Sequence, residues 1–461
     1  MPALPPDLIA GLESLLGERL TRNATIRERH GQGESWHPPM PPEAVAFARS
    51  TAEVSAIVAL CAKHRVPVIA FGAGTSIEGQ VVAEEGGLCL DLTQMDAILA
   101  VRPDDMDVTV QPGVTRKRLN DTLRDQGLFF PVDPGADATL GGMAATRASG
   151  TNAVRYGTMR DAVLSLEVVL ADGRVIRTAR RARKSAAGYD LTRLFIGSEG
   201  TLGIITELTL RLWGIPEAIS AAVVAFPSVA AAVDAVIATI QAGVPVARIE
   251  LLDEAMLDAV NRYAKLDYPV APTLFLEFHG SAKGVAEQAE LVGALAAERG
   301  SGPFRWTTKT EERNKLWQAR HDGYYALLAR YPGRKGFTTD VCVPISRLAE
   351  SIAETRADLA RMSMPTSILG HVGDGNYHTV FMIEPGNAAE LESVKRFAER
   401  QVDRALAMDG TSTGEHGVGI GKIAAVEREF GHGVAVMRAI KMALDPANLL
   451  NPGKILAKRP A

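Results

Sequence analysis

The sequence predicts an α+β protein: strand–helix alternation over the first 215 residues, then strand–helix units on an antiparallel, ferredoxin-like sheet, then C-terminal helices. Three observations predict it. Short apolar or alternating runs are interleaved with segments of helical period. No Gly-x-Gly-x-x-Gly joins a first strand to a helix, so a Rossmann fold is not expected. A second strand–helix series begins near Pro216.

Taken in order, residues 51–63 have helical periodicity, while 66–71 and 88–92 are apolar runs of the buried-strand type. Residues 106–111 alternate and stop at Pro112-Gly113, and 114–126 are helical again. Residues 164–170 and 175–178 flank Ala171-Asp172-Gly173 and form a hairpin. Beyond Pro216, strands are expected at 221–226, 246–252 and 274–279, with helices at 230–242, 254–263 and 282–298. One helix over 311–330 leads into one strand over 336–343. Asp445-Pro446 and Asn451-Pro452-Gly453 close the C-terminal helices.

At 461 residues the chain has room for two or three domains. A net charge of -4 gives no sign of nucleic-acid binding. Cys61, Cys89 and Cys342 are isolated, which argues against iron–sulfur, thiolate-zinc and disulfide frameworks and fits a reducing compartment. Residues 7–16 are acidic and amphipathic, unlike a signal or transit peptide. With no apolar run of about 20 residues, the expectation is a cytoplasmic protein without a membrane span, peripheral contact at the inner membrane remaining open.

The chemistry concentrates in two glycine-flanked segments, Gly370-His371-Val372-Gly373-Asp374-Gly375-Asn376-Tyr377-His378 and Gly414-Glu415-His416-Gly417. Gly-Asp-Gly-Asn is a hairpin signal, and folding it brings His371 towards His378. Two imidazoles and the Glu415 carboxylate suit a three-ligand divalent metal site with open positions. His416 is then available to move protons. The competing reading is a hairpin with incidental histidines.

Three further segments read as cradles for one long polar ligand. Gly72, Ala73, Gly74, Thr75 and Ser76 follow a strand, and their N–H groups and hydroxyls suit a phosphate. Pro134, Thr139, Gly141, Gly142 and Met143 lead into Ser149, Gly150, Thr151, Asn152, Tyr156 and Gly157, a run of small and hydroxyl residues. Glu199, Gly200, Ile204 and Ile205 belong to the third. These segments, with residues 130–137, 184–189, 339–344 and the two metal-type motifs, closely resemble the vanillyl-alcohol oxidase / p-cresol methylhydroxylase flavoprotein superfamily, and within it the cytochrome-linked D-lactate dehydrogenases. The resemblance covers about residues 40–455.

The resemblance implies a two-subdomain FAD-binding domain of p-cresol methylhydroxylase type over 1–215. A substrate- and metal-binding cap domain follows over 216–425, and a C-terminal helical segment over 426–461 returns to the FAD domain. FAD would lie with its pyrophosphate on Gly72 to Ser76 and its isoalloxazine near Ser149 to Asn152, with Asn451 approaching. The loop over 72–79 has no His or Cys, so the flavin is expected to be non-covalent. The resemblance further implies Mn or Zn on His371, His378 and Glu415, His416 as base and Arg320 as the substrate-carboxylate arginine. Lys335 and Thr339 are lesser candidates for the pocket wall. The implied reaction is oxidation of a D-2-hydroxy acid, D-lactate to pyruvate, with hydride passing to flavin N5 and electrons to an external cytochrome c-type protein or quinone. A D-2-hydroxyglutarate dehydrogenase using Arg334 and Lys335, a glycolate oxidase subunit and a non-redox flavoprotein synthase remain alternatives.

Overall fold

The structure, a computed structural model, describes residues 4–458. The chain divides into two compact units. The first holds the residues up to 149, 157–215 and those from 415 onward; the second holds 150–156 and 216–414.

The first unit opens with the helix Pro6–Leu16, whose Leu8, Leu12 and Leu16, spaced by four, are buried. Ser50 accepts a hydrogen bond from Glu53 N and starts the helix Thr51–His64. Strands Ala44–Phe47, Leu88–Asp91 and Val68–Phe71 run parallel in that order, with Leu20–Thr21 antiparallel at the edge. Strands of a parallel sheet are covered on both faces, which is why these segments read as apolar runs. A second sheet is antiparallel, in the order Ile98–Arg102, Asp107–Val110, Ile204–Arg211, Val163–Val169, Val175–Arg177. Each sheet builds its own core; Ile204 packs into one and Ile205 into the other. The C-terminal residues close this unit. Leu450 bridges Val68 in parallel. Buried Lys441 donates to Thr201 O, Asp445 Oδ2 and Leu450 O, which holds the turn before Asn451.

The second unit is built on an eight-stranded sheet. Its order is Arg305–Thr307, Ala218–Ala225, Thr273–Gly280, Val246–Leu252, Thr366–His371, Asn376–Ile383, Lys335–Thr338, with antiparallel neighbours, and Val341–Cys342 pairs with Asn376–Ile383. The first four strands have the ferredoxin-like order, and the sheet continues past Val246–Leu252. One face is apolar at one end: Ala221, Val223, Leu252, Phe275, Val380 and Met382 pack under the helices Glu254–Ala264, Thr310–His321 and Gly323–Arg330. Two and four residues further along the same face the sheet carries Arg248 and Glu250, Glu277 and His279, and His371 and His378.

Two expected elements are divided. The helix over 311–330 is two helices, Thr310–His321 and Gly323–Arg330, broken where Asp322 caps the first. Gly323 lies against Met256 Sδ, with little room for a side chain. The strand over 336–343 is Lys335–Thr338 and Val341–Cys342, interrupted because Asp340 turns its carboxylate to Asn376, Thr413 and Gly414.

Asp253 ties this unit together near the candidate site. It caps Glu254–Ala264 through Met256 N and also accepts from Ile368 N at 2.7 Å and Ser367 Oγ at 3.0 Å, on the strand that ends at His371. Burial pushes its carboxyl from 3.8 up to about 6. Because the folded value lies above the unfolded one, this residue's stabilising contribution is full below the unfolded pKa and is lost as pH rises through about 6. Relative to Asp253→Asn, the wild type should therefore lose roughly 2–3 kcal/mol of unfolding free energy between about pH 4 and pH 7. Denaturant melts of both proteins at the two pH values measure this; a pH-independent difference would refute it.

Candidate active site

In the first unit the glycine loop leaves the strand Val68–Phe71 at its C-terminal end. A side chain at Gly72 would collide with Thr139 Oγ1, so the first two cradle segments meet there. Thr139 caps the helix Leu140–Thr146 through Gly142 N. Gly141 packs against Pro112, and Met143 lies in the core. Ser76 Oγ and Asn451 Oδ1 are buried and, among the described residues, have no hydrogen-bond partner. Buried polar atoms of that kind are rare and suit contact with a bound polar group. These residues fit FAD.

Glu199 and Asn451 both adopt left-handed backbone conformations, φ 50° and 41°, a strain that persists where the surroundings enforce it. Asn451 Nδ2 donates to Gln80 O at 3.0 Å and Glu199 O at 2.8 Å. The Glu199 carboxylate is buried, which raises its pKa. It accepts from Val418 N at 2.7 Å and Gly419 N at 2.8 Å, and Gln80 Nε2 donates to His416 O at 2.8 Å. A Cβ at Gly419 would strike Glu78 O. The segment that carries Glu415 and His416 is thus fastened to this unit by its backbone.

In the second unit the hairpin turns through Gly375, φ 80°, and pairs Leu369 with His378 and His371 with Asn376. The two histidines are therefore diagonal neighbours on one face, with ring centroids 5.5 Å apart. His371 Nδ1 lies 2.7 Å from Glu250 Oε1, and His378 Nδ1 lies 3.2 Å from Thr339 O and 3.6 Å from Asp340 Oδ1. An oxygen acceptor at Nδ1 favours, for each ring, the tautomer whose Nε2 carries the lone pair that can ligate. Asp340 Oδ2 also accepts from Gly414 N at 2.8 Å, immediately before Glu415. The donor set fits a divalent cation that takes imidazole and carboxylate.

Arg320 is 8% exposed, and its Nε and Nη2 donate to Glu250 Oε2 at 3.2 and 2.6 Å. Burial opposes charge on Glu250, but His371 and Arg320 outweigh it and lower its pKa. Beside this pair, Arg248 lies over Trp317, 4.8 Å from the ring centroid, and donates to Asn152 Oδ1 at 2.9 Å. Tyr156 Oη is 2.6 Å from His279 Nδ1, whose Nε2 is 2.8 Å from Glu277 Oε1. Asn152 and Tyr156, read as flavin contacts, are thus anchored in the second unit, whereas Ser149 and Gly157 belong to the first.

Residues 215–455 match the family described as FAD linked oxidases, C-terminal domain, and residues 42–179 match an FAD binding domain. The chain belongs to the FAD-linked oxidase family. It is 54% identical to the probable mitochondrial D-lactate dehydrogenase of Danio rerio, over 97% of this chain and 91% of that one. It is 45% identical to the mitochondrial D-lactate dehydrogenase [cytochrome] of Arabidopsis thaliana, over 98% and 80%. The fold is that of p-cresol methylhydroxylase with substrate bound, at a TM-score of 0.82 and 18% identity, covering 98% of this chain and 96% of that one.

The cytoplasmic placement expected from the sequence does not stand, since both of these relatives carry names that end in "mitochondrial". Residues 7–16, whose pattern entered that expectation, lie in the helix Pro6–Leu16 of this FAD-linked oxidase, where Leu8, Leu12 and Leu16 are buried. Among the described residues no helix is long and apolar enough to cross a membrane.

Sequence reasoning assigned no role to Glu250, Asp340, Gln80, Arg248, Glu277 or His279. Asp340 stands in the motif Thr339-Asp340-Val341-Cys342, which carries part of the family resemblance, and that was its available signal.

Proposed function

We propose that the chain is an FAD-dependent, metal-assisted dehydrogenase that oxidises D-lactate and related D-2-hydroxy acids to 2-oxo acids, with His371, His378 and Glu415 as the Mn or Zn ligands. The carrying observation is the pair of histidines on one sheet face, each with Nδ1 engaged by an oxygen acceptor. Names of relatives sharing 54% and 45% of their residues with the chain support the substrate. Bound FAD would take the hydride from C2, and the divalent ion would acidify the substrate hydroxyl.

The chain's own residues supply the rest. His416, next to Glu415, accepts the hydroxyl proton. Arg320 offers the substrate carboxylate the Nη1 edge that its pair with Glu250 does not use. Ser76 and Asn451, whose buried Oγ and Oδ1 have no hydrogen-bond partner among the described residues, would help to hold the flavin, without a covalent bond.

Electrons leave to a cytochrome c-type protein or a quinone. The chain has three isolated cysteines and no haem-attachment motif with which to store them. Anaerobic D-lactate should bleach the flavin and L-lactate should not. Turnover should be rapid with cytochrome c or a soluble quinone and slow with NAD or oxygen. Rapid turnover with NAD, or peroxide formed as fast as a dye is reduced, would overturn the reading.

A further inference from the structure

Glu250 is a buried carboxylate of the second unit that bonds both a proposed metal ligand and a buried arginine. Its two oxygens are divided: Oε1 faces His371 Nδ1 at 2.7 Å, and Oε2 accepts Nε and Nη2 of Arg320. Its side chain is 1% exposed and that of Arg320 is 9% exposed. It stands on the strand Val246–Leu252, which pairs with the strand that carries His371. This arrangement rests on rigid sheet rather than on a loop.

We propose that Glu250 is a positioning residue for the metal centre: its carboxylate sets the orientation and tautomer of His371 and is itself aimed by Arg320. The assignment rests on the metal reading of His371, His378 and Glu415. The chemistry follows from the contacts. A carboxylate that accepts Nδ1–H keeps the proton off Nε2 and makes that nitrogen a better donor. Arg320 grips the other oxygen through two donors in a fixed fork, so the carboxylate cannot swing away from the imidazole. Arg320 thereby acts on the metal as well as on the substrate.

Buried partners of this kind cannot be removed singly without risk to the fold. Glu250→Gln keeps the size and leaves one acceptor oxygen for the three N–H donors of His371 and Arg320. Glu250→Gln/Arg320→Gln removes both charges together. Arg320→Gln alone frees the carboxylate from its grip. Each protein would be prepared with FAD bound, stripped with a chelator and titrated with Mn(II), the free ion being read by electron paramagnetic resonance. Flavin absorbance and a thermal melt report the fold.

Glu250→Gln and the double variant should bind Mn(II) about 10–100-fold more weakly, and Arg320→Gln should also weaken it. A role confined to the substrate carboxylate would leave Mn(II) affinity untouched in Arg320→Gln. If Glu250→Gln and the double variant keep wild-type affinity while His371→Ala loses it, the positioning role is wrong and the metal reading stands. If the wild type takes up no Mn(II) or Zn(II), the metal reading itself fails and this role falls with it.

Discussion

Replacing His416 by Ala should slow reduction of the flavin by D-lactate by about 10²–10⁴-fold, the usual contribution of a general base, while substrate binding changes little. The loop is expected to keep its place in the variant, because it is held by its backbone. Gln80 Nε2 donates to His416 O, and Glu199 accepts from Val418 N and Gly419 N. Removing the imidazole leaves all three bonds in place. Stopped-flow reduction under anaerobic conditions separates the rate from the binding constant. A decrease of less than about tenfold would remove His416 from the proton-transfer step.

Metal removal should have an effect of similar size. A Lewis acid at the substrate contributes several kcal/mol, so chelated protein should lose roughly 10²-fold or more in turnover. It should stay yellow, because none of Gly72, Ser76, Thr139 and Asn451, the residues that fit FAD, is a proposed metal ligand. Mn(II) or Zn(II) should restore the rate. Retained turnover after complete chelation would refute the ligand assignment; loss of flavin together with the metal would refute the separation of the two sites.

Much of this protein could be read locally. Strand 246–252 was legible to the residue because Arg248-Ile249-Glu250-Leu251 alternate within an otherwise apolar run. The same alternation concealed Glu250. Polar residues at every second position of an antiparallel strand ordinarily face water, and nothing within Val246–Leu252 says that Thr310–His321 covers that face. The hairpin was legible from Gly-Asp-Gly-Asn, and with it the approach of His371 to His378. Asp340 was not, because its partners Thr413 and Gly414 are 73 and 74 positions away. The division of the helix at Asp322 was hidden for a related reason. One glycine within a helical pattern is tolerated, and only the approach of Met256 to Gly323 makes this one matter.

The return of the chain to its first unit has a consequence for biosynthesis. Strand Val68–Phe71 and the loop after it emerge from the ribosome long before Lys441, Leu450 and Asn451, which are needed to finish them. Synthesis of the intervening residues takes on the order of tens of seconds at ordinary translation rates. For that interval the parallel sheet lacks its last partner and its apolar edge is open. The nascent protein therefore has a window in which chaperone occupancy and FAD supply compete with aggregation. Truncation shortly before residue 441 should yield chains that engage chaperones but do not retain flavin.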